Sequence, residues 1–401
     1  MSGWRERGRD MGPGAFVAAA LVGTPLIVSS AAIGASAGTS ILWLVLLSLG
    51  TAGVLHALVL RITHGTGRDL AGLIVERLRS PLGPVFALGL VVTLVVAGGQ
   101  LEGTNLLGAA TGLELLFGVG SGRALLVAAL ACGYVLARCD TALLERVVVV
   151  LVALMGASFA GAAVLCGPDP GACVRGAMSP ALPTGSLGIA LALVGGPGAV
   201  FLYSAALRAK AEDDAGADRP GGSGLDLAIW IGLAGVAAVA VAVTSQTLFA
   251  AADRDVWVGP VDVAFQLESA GGPMAGLLFS VGILLAGLTS AMVVPMAASA
   301  ALCGAFGRPS RVRGVLGRSI ALGVLALGIG AARFGVRLPS GDALAQALGA
   351  WFLVLTAGAM VWMAVDSTLL GERRSRGLGT GLASAAAVAV TLLAVAASRL
   401  H

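Results

Sequence analysis

The chain has 401 residues, of which 57% are hydrophobic and only 11% charged. That balance excludes a soluble globular enzyme. The formal net charge of +4 comes without the aromatic-interleaved basic patch of a nucleic-acid surface, so no nucleic-acid partner is expected.

Apolar runs near twenty residues recur along the whole length, long enough to span a bilayer as helices. The predicted spans are 13–34, 40–61, 84–110, 123–138, 145–166, 186–208, 226–250, 274–304, 315–333, 343–368 and 377–398. Arg5, Arg7 and Arg9 precede the first span, and Ala35-Ser36-Ala37 after it looks like a leader cleavage site. The apolar run is too long for a signal sequence, so a retained first helix is expected.

Span 1 is interrupted at Gly23-Thr24-Pro25, where proline removes a donor and glycine eases unwinding. Span 2 carries His56 about one turn inside the membrane, read as a packed, hydrogen-bonded histidine. It ends in a loop holding His64 and Arg68, followed by an amphipathic piece from Ala71 to Arg79.

Span 3 holds Gln100, Glu102, Thr104 and Asn105. Glu102 and Asn105 are three apart and share a helical face. A carboxylate at membrane depth marks an ion or proton path by default. Gly118 to Gly122 is a turn, since neither a preceding strand nor a following Gly-Lys-Ser/Thr makes it a phosphate loop.

Cys132, Cys139 and Cys303 read as small apolar fillers. Cys166 and Cys173 bracket a short loop, where a disulfide stays open as a staple without functional role.

Span 6 repeats the phrase of span 1: Ala192-Leu193-Val194-Gly195-Gly196-Pro197-Gly198 echoes Ala20-Leu21-Val22-Gly23-Thr24-Pro25. Broken helices persist in a bilayer only where they line a cavity. Breaks at matching places in two halves point to a transporter's binding site. The halves are 12–166 and 184–370, with 377–398 an extra helix, all in one membrane domain. Five spans is an odd number, so the second half inserts upside down.

Span 8 is rich in small and hydroxyl residues around Thr289 and Ser290, and Asp366 closes span 10. With the N-terminus inside, nineteen of the 25 basic residues fall in inside segments, which predicts N-in, C-out. No hydrolase elbow, Walker motif, HExxH or CxxC pair occurs, so neither an enzyme nor a cofactor is expected.

Gly12-Pro13-Gly14 ahead of a broken first helix and Thr66-Gly67-Arg68-Asp69-Leu70-Ala71 after the second resemble the Nramp family of divalent-metal transporters. So do Leu115-Leu116-Phe117-Gly118, Phe201-Leu202-Tyr203-Ser204-Ala205, Ala286-Gly287-Leu288-Thr289-Ser290 and Leu369-Leu370-Gly371-Glu372, in order along nearly the whole chain. The resemblance implies an all-α polytopic membrane protein of about 11 transmembrane helices. It would be a LeuT-like 5+5 inverted repeat with helices 1 and 6 broken.

By that resemblance the substrate site lies at Gly23, Thr24, Pro25 and Leu26 in helix 1 and at Gly195, Gly196, Pro197 and Gly198 in helix 6. Family members that move manganese or iron carry Asp-Pro-Gly-Asn at the first break and Met-Pro-His at the second. Here only the second proline is kept. A family histidine further along helix 6 falls on Tyr203, and the two helix-3 acids of the family's proton path fall on Glu102 and Asn105.

The expected function is divalent cation transport by alternating access, coupled to protons, by a monomeric unit in a bacterial inner membrane. Its partners are the bilayer and a small solute or divalent cation. The missing anion and thioether leave two alternatives: a carrier of a neutral or organic solute, or a non-transporting membrane sensor.

Overall fold

The computed structural model describes residues 12–139, 141–182, 186–213, 224–249, 260–308, 314–334, 341–371 and 374–398, and those residues form helices and connections without a strand. Glycine and proline set the boundaries. Proline stands in the first turn of several helices, where its missing N–H costs nothing, and glycine closes others in the left-handed region.

In chain order come α1 (Pro13–Leu21), α2 (Thr24–Ala37), a short turn at Gly38–Ile41, α3 (Leu42–Thr66), α4 (Leu70–Leu78), α5 (Leu82–Phe117), α6 (Ser121–Arg138), α7 (Thr141–Leu165) and α8 (Pro170–Met178). Then follow α9 (Ser186–Val194), α10 (Pro197–Asp213), α11 (Gly224–Phe249), α12 (Pro260–Gly271), α13 (Pro273–Ala305), α14 (Val315–Phe334), α15 (Gly341–Val365), the single turn α16 (Ser367–Leu370) and α17 (Leu378–Ser398).

Among the described residues nine helices are long and apolar enough to cross a membrane, and the bent pair α1–α2 makes a tenth. The remaining predicted span, 186–208, is present as α9 and α10. Two boundaries moved. Helix α3 runs on to Thr66 before Gly67 caps it at φ 66°, so His64 is on the helix and not in a loop. Helix α5 has 36 residues, a length of about 54 Å at 1.5 Å per residue. That exceeds a hydrocarbon core of about 30 Å, so α5 must tilt or project beyond it.

The centre of the bundle is the pair α5–α13, the most extensive helix contact in the protein. Small residues make it possible: a Cβ on Gly287 would lie 2.3 Å from the Ala109 backbone nitrogen, and one on Gly112 would lie 2.5 Å from the Leu284 Cβ. Close backbone approach of this kind replaces the hydrophobic effect as the glue between membrane helices. Around this pair, α1 and α2 pack on α11, α9 and α10 pack on α3, and α17 packs on α15 and α3. The outer faces are apolar and exposed, as at Leu88, Leu130 and Leu392.

The staple left open between Cys166 and Cys173 is not formed; both are free thiols. Cys166 directly follows α7, with its sulfur turned to Gly271, where an added Cβ would meet it at 3.1 Å. Cys173 rides instead on α8, whose start is fixed by Asp169 accepting from the Gly171 amide at 2.8 Å.

Candidate functional site

At the first break the axes of α1 and α2 diverge by 48°. Val22 and Gly23 alone are non-helical, and Thr24 already begins α2. Pro25 therefore sits in the first turn of a new helix. It does not cut a ladder in mid-helix as the sequence suggested, and its missing N–H is one that would be orphaned anyway.

Two side chains from the central pair take up the free backbone groups. Asn105 Oδ1 on α5 accepts from the Thr24 amide at 3.0 Å. Ser290 Oγ on α13 reaches the carbonyls of Ala19, at 2.7 Å, and Val22, at 3.3 Å. Asn105 thus caps the start of α2, and Ser290 caps the end of α1. Gly23 is required beneath them: a Cβ there would lie 2.9 Å from Asn105 Oδ1 and 3.3 Å from Ser290 Oγ. The resemblance puts an aspartate at this position, and the asparagine oxygen fills the space its first carbon would need.

Thr24 is buried with its hydroxyl unpartnered and packs on Gly108 of α5; Leu26 is buried as well. The other end of α1 is also held. Asp226, at the start of α11, accepts from the Gly12 amide at 3.1 Å, the Gly14 amide at 2.8 Å and Trp230 Nε1 at 2.9 Å. A carboxylate on the first amides of a helix favours its dipole.

The second break lies at Gly195 and Gly196, between α9 and α10. Gly195 has φ 91°, a conformation that glycine alone adopts without strain. Pro197 opens α10, and the Ala199 amide bonds the Gly196 carbonyl at 3.0 Å. The surroundings are mostly apolar: Ala297 and Leu94 face Gly198, and Leu21 of α1 faces Gly195.

One imidazole interrupts them. A Cβ on Gly195 would lie 3.8 Å from His56 Cε1. His56 is fully buried, and its Nδ1 lies 2.8 Å from the Ala52 carbonyl. A carbonyl only accepts, so Nδ1 carries a proton, and Nε2 is left without a partner. The Tyr203 ring stands edge-on to the His56 ring at 5.7 Å and 62°, and its buried hydroxyl is likewise unpartnered.

Glu102 is fully buried, and neither carboxyl oxygen has a hydrogen-bond partner. Its side chain lies against α14, where a Cβ on Gly328 would sit 2.3 Å from Glu102 Cγ. Glu102, Asn105 and Tyr203 are therefore not one hydrogen-bonded cluster. Asn105 is at the first break, Tyr203 is beside His56 near the second, and Glu102 points to α14. Among the described residues no group of three or more His, Cys, Asp or Glu side chains could hold a metal ion.

Sequence reasoning passed over three residues. Ser290 was legible only as a small lining residue, His56 as packing, and Asp226 not at all, because the partner of each is on a distant segment.

Residues 14–398 match the family model described as natural resistance-associated macrophage protein-like, Nramp. The chain is 27% identical over 295 residues to a divalent metal cation transporter of Bacillus subtilis (strain 168), covering 71% of this chain and 68% of that one. It is 25% identical over 406 residues to the transporter of that name from Verminephrobacter eiseniae (strain EF01-2), covering 96% and 89%. The crystal structure of the Eremococcus coleocola manganese transporter, in complex with an aromatic bis-isothiourea substituted compound, superposes with a TM-score of 0.77 at 20% identity, over 99% of this chain and 87% of that one. The architecture extends to a nucleobase-cation-symport-1 family transporter and to MhsT in complex with L-phenylalanine, at TM-scores of 0.55 and 0.57. At these identities the structural likenesses show the LeuT-like fold.

Proposed function

Because the chain belongs to the natural resistance-associated macrophage protein-like (Nramp) family, we propose that it carries a divalent metal cation across a membrane by alternating access. The observation that carries the reading is the family match, which runs through both helix breaks and nearly the whole chain. Relatives named divalent metal cation transporters support it.

The cation would pass between Gly23–Leu26 and Gly195–Gly198. The groups available there are neutral: the Thr24 hydroxyl and the Asn105 amide. Neutral oxygen dipoles suit a hard ion that keeps part of its water, as magnesium does, better than one selected by a soft sulfur ligand. Glu102 is the acid proposed to carry a coupled proton, and Asn105 at the first break and Tyr203 near the second are the polar side chains proposed to line the path. We propose a monomeric transport unit in a bacterial inner membrane; the basic-residue bias supports an N-terminus inside.

Uptake of magnesium and manganese into liposomes, beside a panel of neutral solutes, tests this. Saturable metal flux is expected. Glu102→Gln is expected to keep downhill metal flux and abolish its stimulation by an imposed pH gradient. Absent metal flux with uptake of a neutral solute would overturn the reading. Metal flux with unchanged pH stimulation would remove only the role of Glu102.

A further inference from the structure

We infer that the protein binds the phosphodiester headgroup of an anionic phospholipid in a cationic cleft between the end of α3 and the start of α17. The cleft has a volume of about 750 Å³. Ala57, Leu60, Arg61 and His64 line it from the last turns of α3; Arg374 and Arg376 line it from the α16–α17 connection, and Gly379 from the first turn of α17. Among the described residues no carboxylate faces it. The nearby Asp366 is occupied, pairing with Arg77 at 3.0 Å and accepting from the Thr368 amide at 2.8 Å.

The basic residues converge because the backbone holds them there. The Ser375 amide bonds the Ala364 carbonyl at the end of α15 at 2.7 Å. Arg61 Nη1 on α3 donates to the Ser375 hydroxyl. Ser375 is thereby buried, and the residues on either side of it, Arg374 and Arg376, are delivered to the same cleft as Arg61. A general excess of basic residues on one side of a membrane would be met by arginines scattered over the surface. Three guanidiniums gathered from two elements repel one another unless an anion sits between them. Guanidinium forks match phosphate oxygens in pairs.

The walls distinguish a lipid from a soluble phosphate. Ala57 and Leu60 make half of the α3 wall apolar. Helix α17, which begins beside Gly379, shows Leu378 and Leu382 to its surroundings at 88% and 57% exposure. A headgroup in the cleft can therefore leave its acyl chains on an apolar helix face. Basic pockets between helices at the membrane surface hold anionic headgroups in this way.

The test uses the full-length protein in nanodiscs of phosphatidylcholine, titrated with phosphatidylglycerol and, separately, with inorganic phosphate. Binding is read by native mass spectrometry and by the shift in melting temperature. Phosphatidylglycerol is expected to bind saturably and raise the melting temperature, and inorganic phosphate is expected to do neither. Arg374→Ala combined with Arg376→Ala is expected to weaken binding about 30-fold, taking each arginine near the surface at its usual worth. Arg318→Ala, outside the cleft, is expected to leave binding unchanged. Melting in pure phosphatidylcholine checks that the variants fold. Equal weakening by Arg318→Ala would reduce the effect to general surface charge and overturn the proposal. Binding of inorganic phosphate alone would overturn the lipid assignment.

Discussion

Asn105 and Ser290 show how one residue each can hold open a break that the bilayer would otherwise penalise. A non-helical peptide at membrane depth needs partners for its amides and carbonyls. Here a single amide oxygen and a single hydroxyl supply them, from positions 81 and 271 residues away in sequence from the groups they bond. Ser290→Ala removes a hydrogen bond between helices, a loss near 0.6 kcal/mol on average in membranes. Asn105→Ala removes a cap from the buried Thr24 amide and leaves a void, so it should cost more, about 1–2 kcal/mol. Melting of the two variants in one detergent should rank them in that order, and the reverse order would contradict the capping roles. Asp366 gives a residue-level pH dependence outside the membrane span. Hydrogen bonds from Thr368, with Arg77 beside it, hold its carboxyl below the usual aspartate value. A depressed value in the folded state means stabilisation that is complete above the ordinary aspartate range. It fades only as pH falls through the lower folded value. Asp366→Asn should flatten the acid limb of stability measured below about pH 4.

Among the elements, the broken helices were the most legible in sequence because their signals are local. Gly195-Gly196-Pro197 needs no tertiary partner to end one helix and start another, and Gly195 at φ 91° is where it turns. Gly195→Ala should cost about 1 kcal/mol in backbone strain and press on Leu21, which an added Cβ would meet at 3.0 Å. Gly196→Ala, with open space around it, should be mild by comparison. Thermal melting and uptake rates should separate the two, and equal effects would remove the special place given to Gly195. The first break was legible as a place but not as a geometry. Gly23-Thr24-Pro25 reads as an interruption, yet the chain leaves the helix one residue earlier and Pro25 initiates α2. What side chains do at a break depends on elements that pack there, so Glu102 and Asn105, neighbours on one helical face, diverge to α14 and to the break. His56 looked like filler for the same reason. Only packing reveals that its ring stands beside Gly195 and Tyr203.

On the scale of the whole molecule, α1 is a short helix tied at both ends by side chains of other helices, Asp226 of α11 and Ser290 of α13. Alternating access needs one part of the bundle to move against another around a fixed site. A nine-residue helix joined to α2 by two non-helical residues is mechanically separable from its neighbours once those ties are cut. Asp226 accepts from two amides at the start of α1 through a carboxylate, and charge-assisted hydrogen bonds are the stronger kind, so it is the stronger tie. Asp226→Ala should leave the Gly12 and Gly14 amides uncapped and speed hydrogen–deuterium exchange across the first turn of α1. Exchange in α5 and α13, whose contact does not involve Asp226, should be unchanged. Ser290→Ala should accelerate exchange at the opposite end, in the amides of the last turn of α1 up to Val22. If α1 is the moving part, the two substitutions together should loosen the whole helix more than the sum of the single effects. Additive, local changes would show instead that the two ends open independently, and that α1 does not move as a unit.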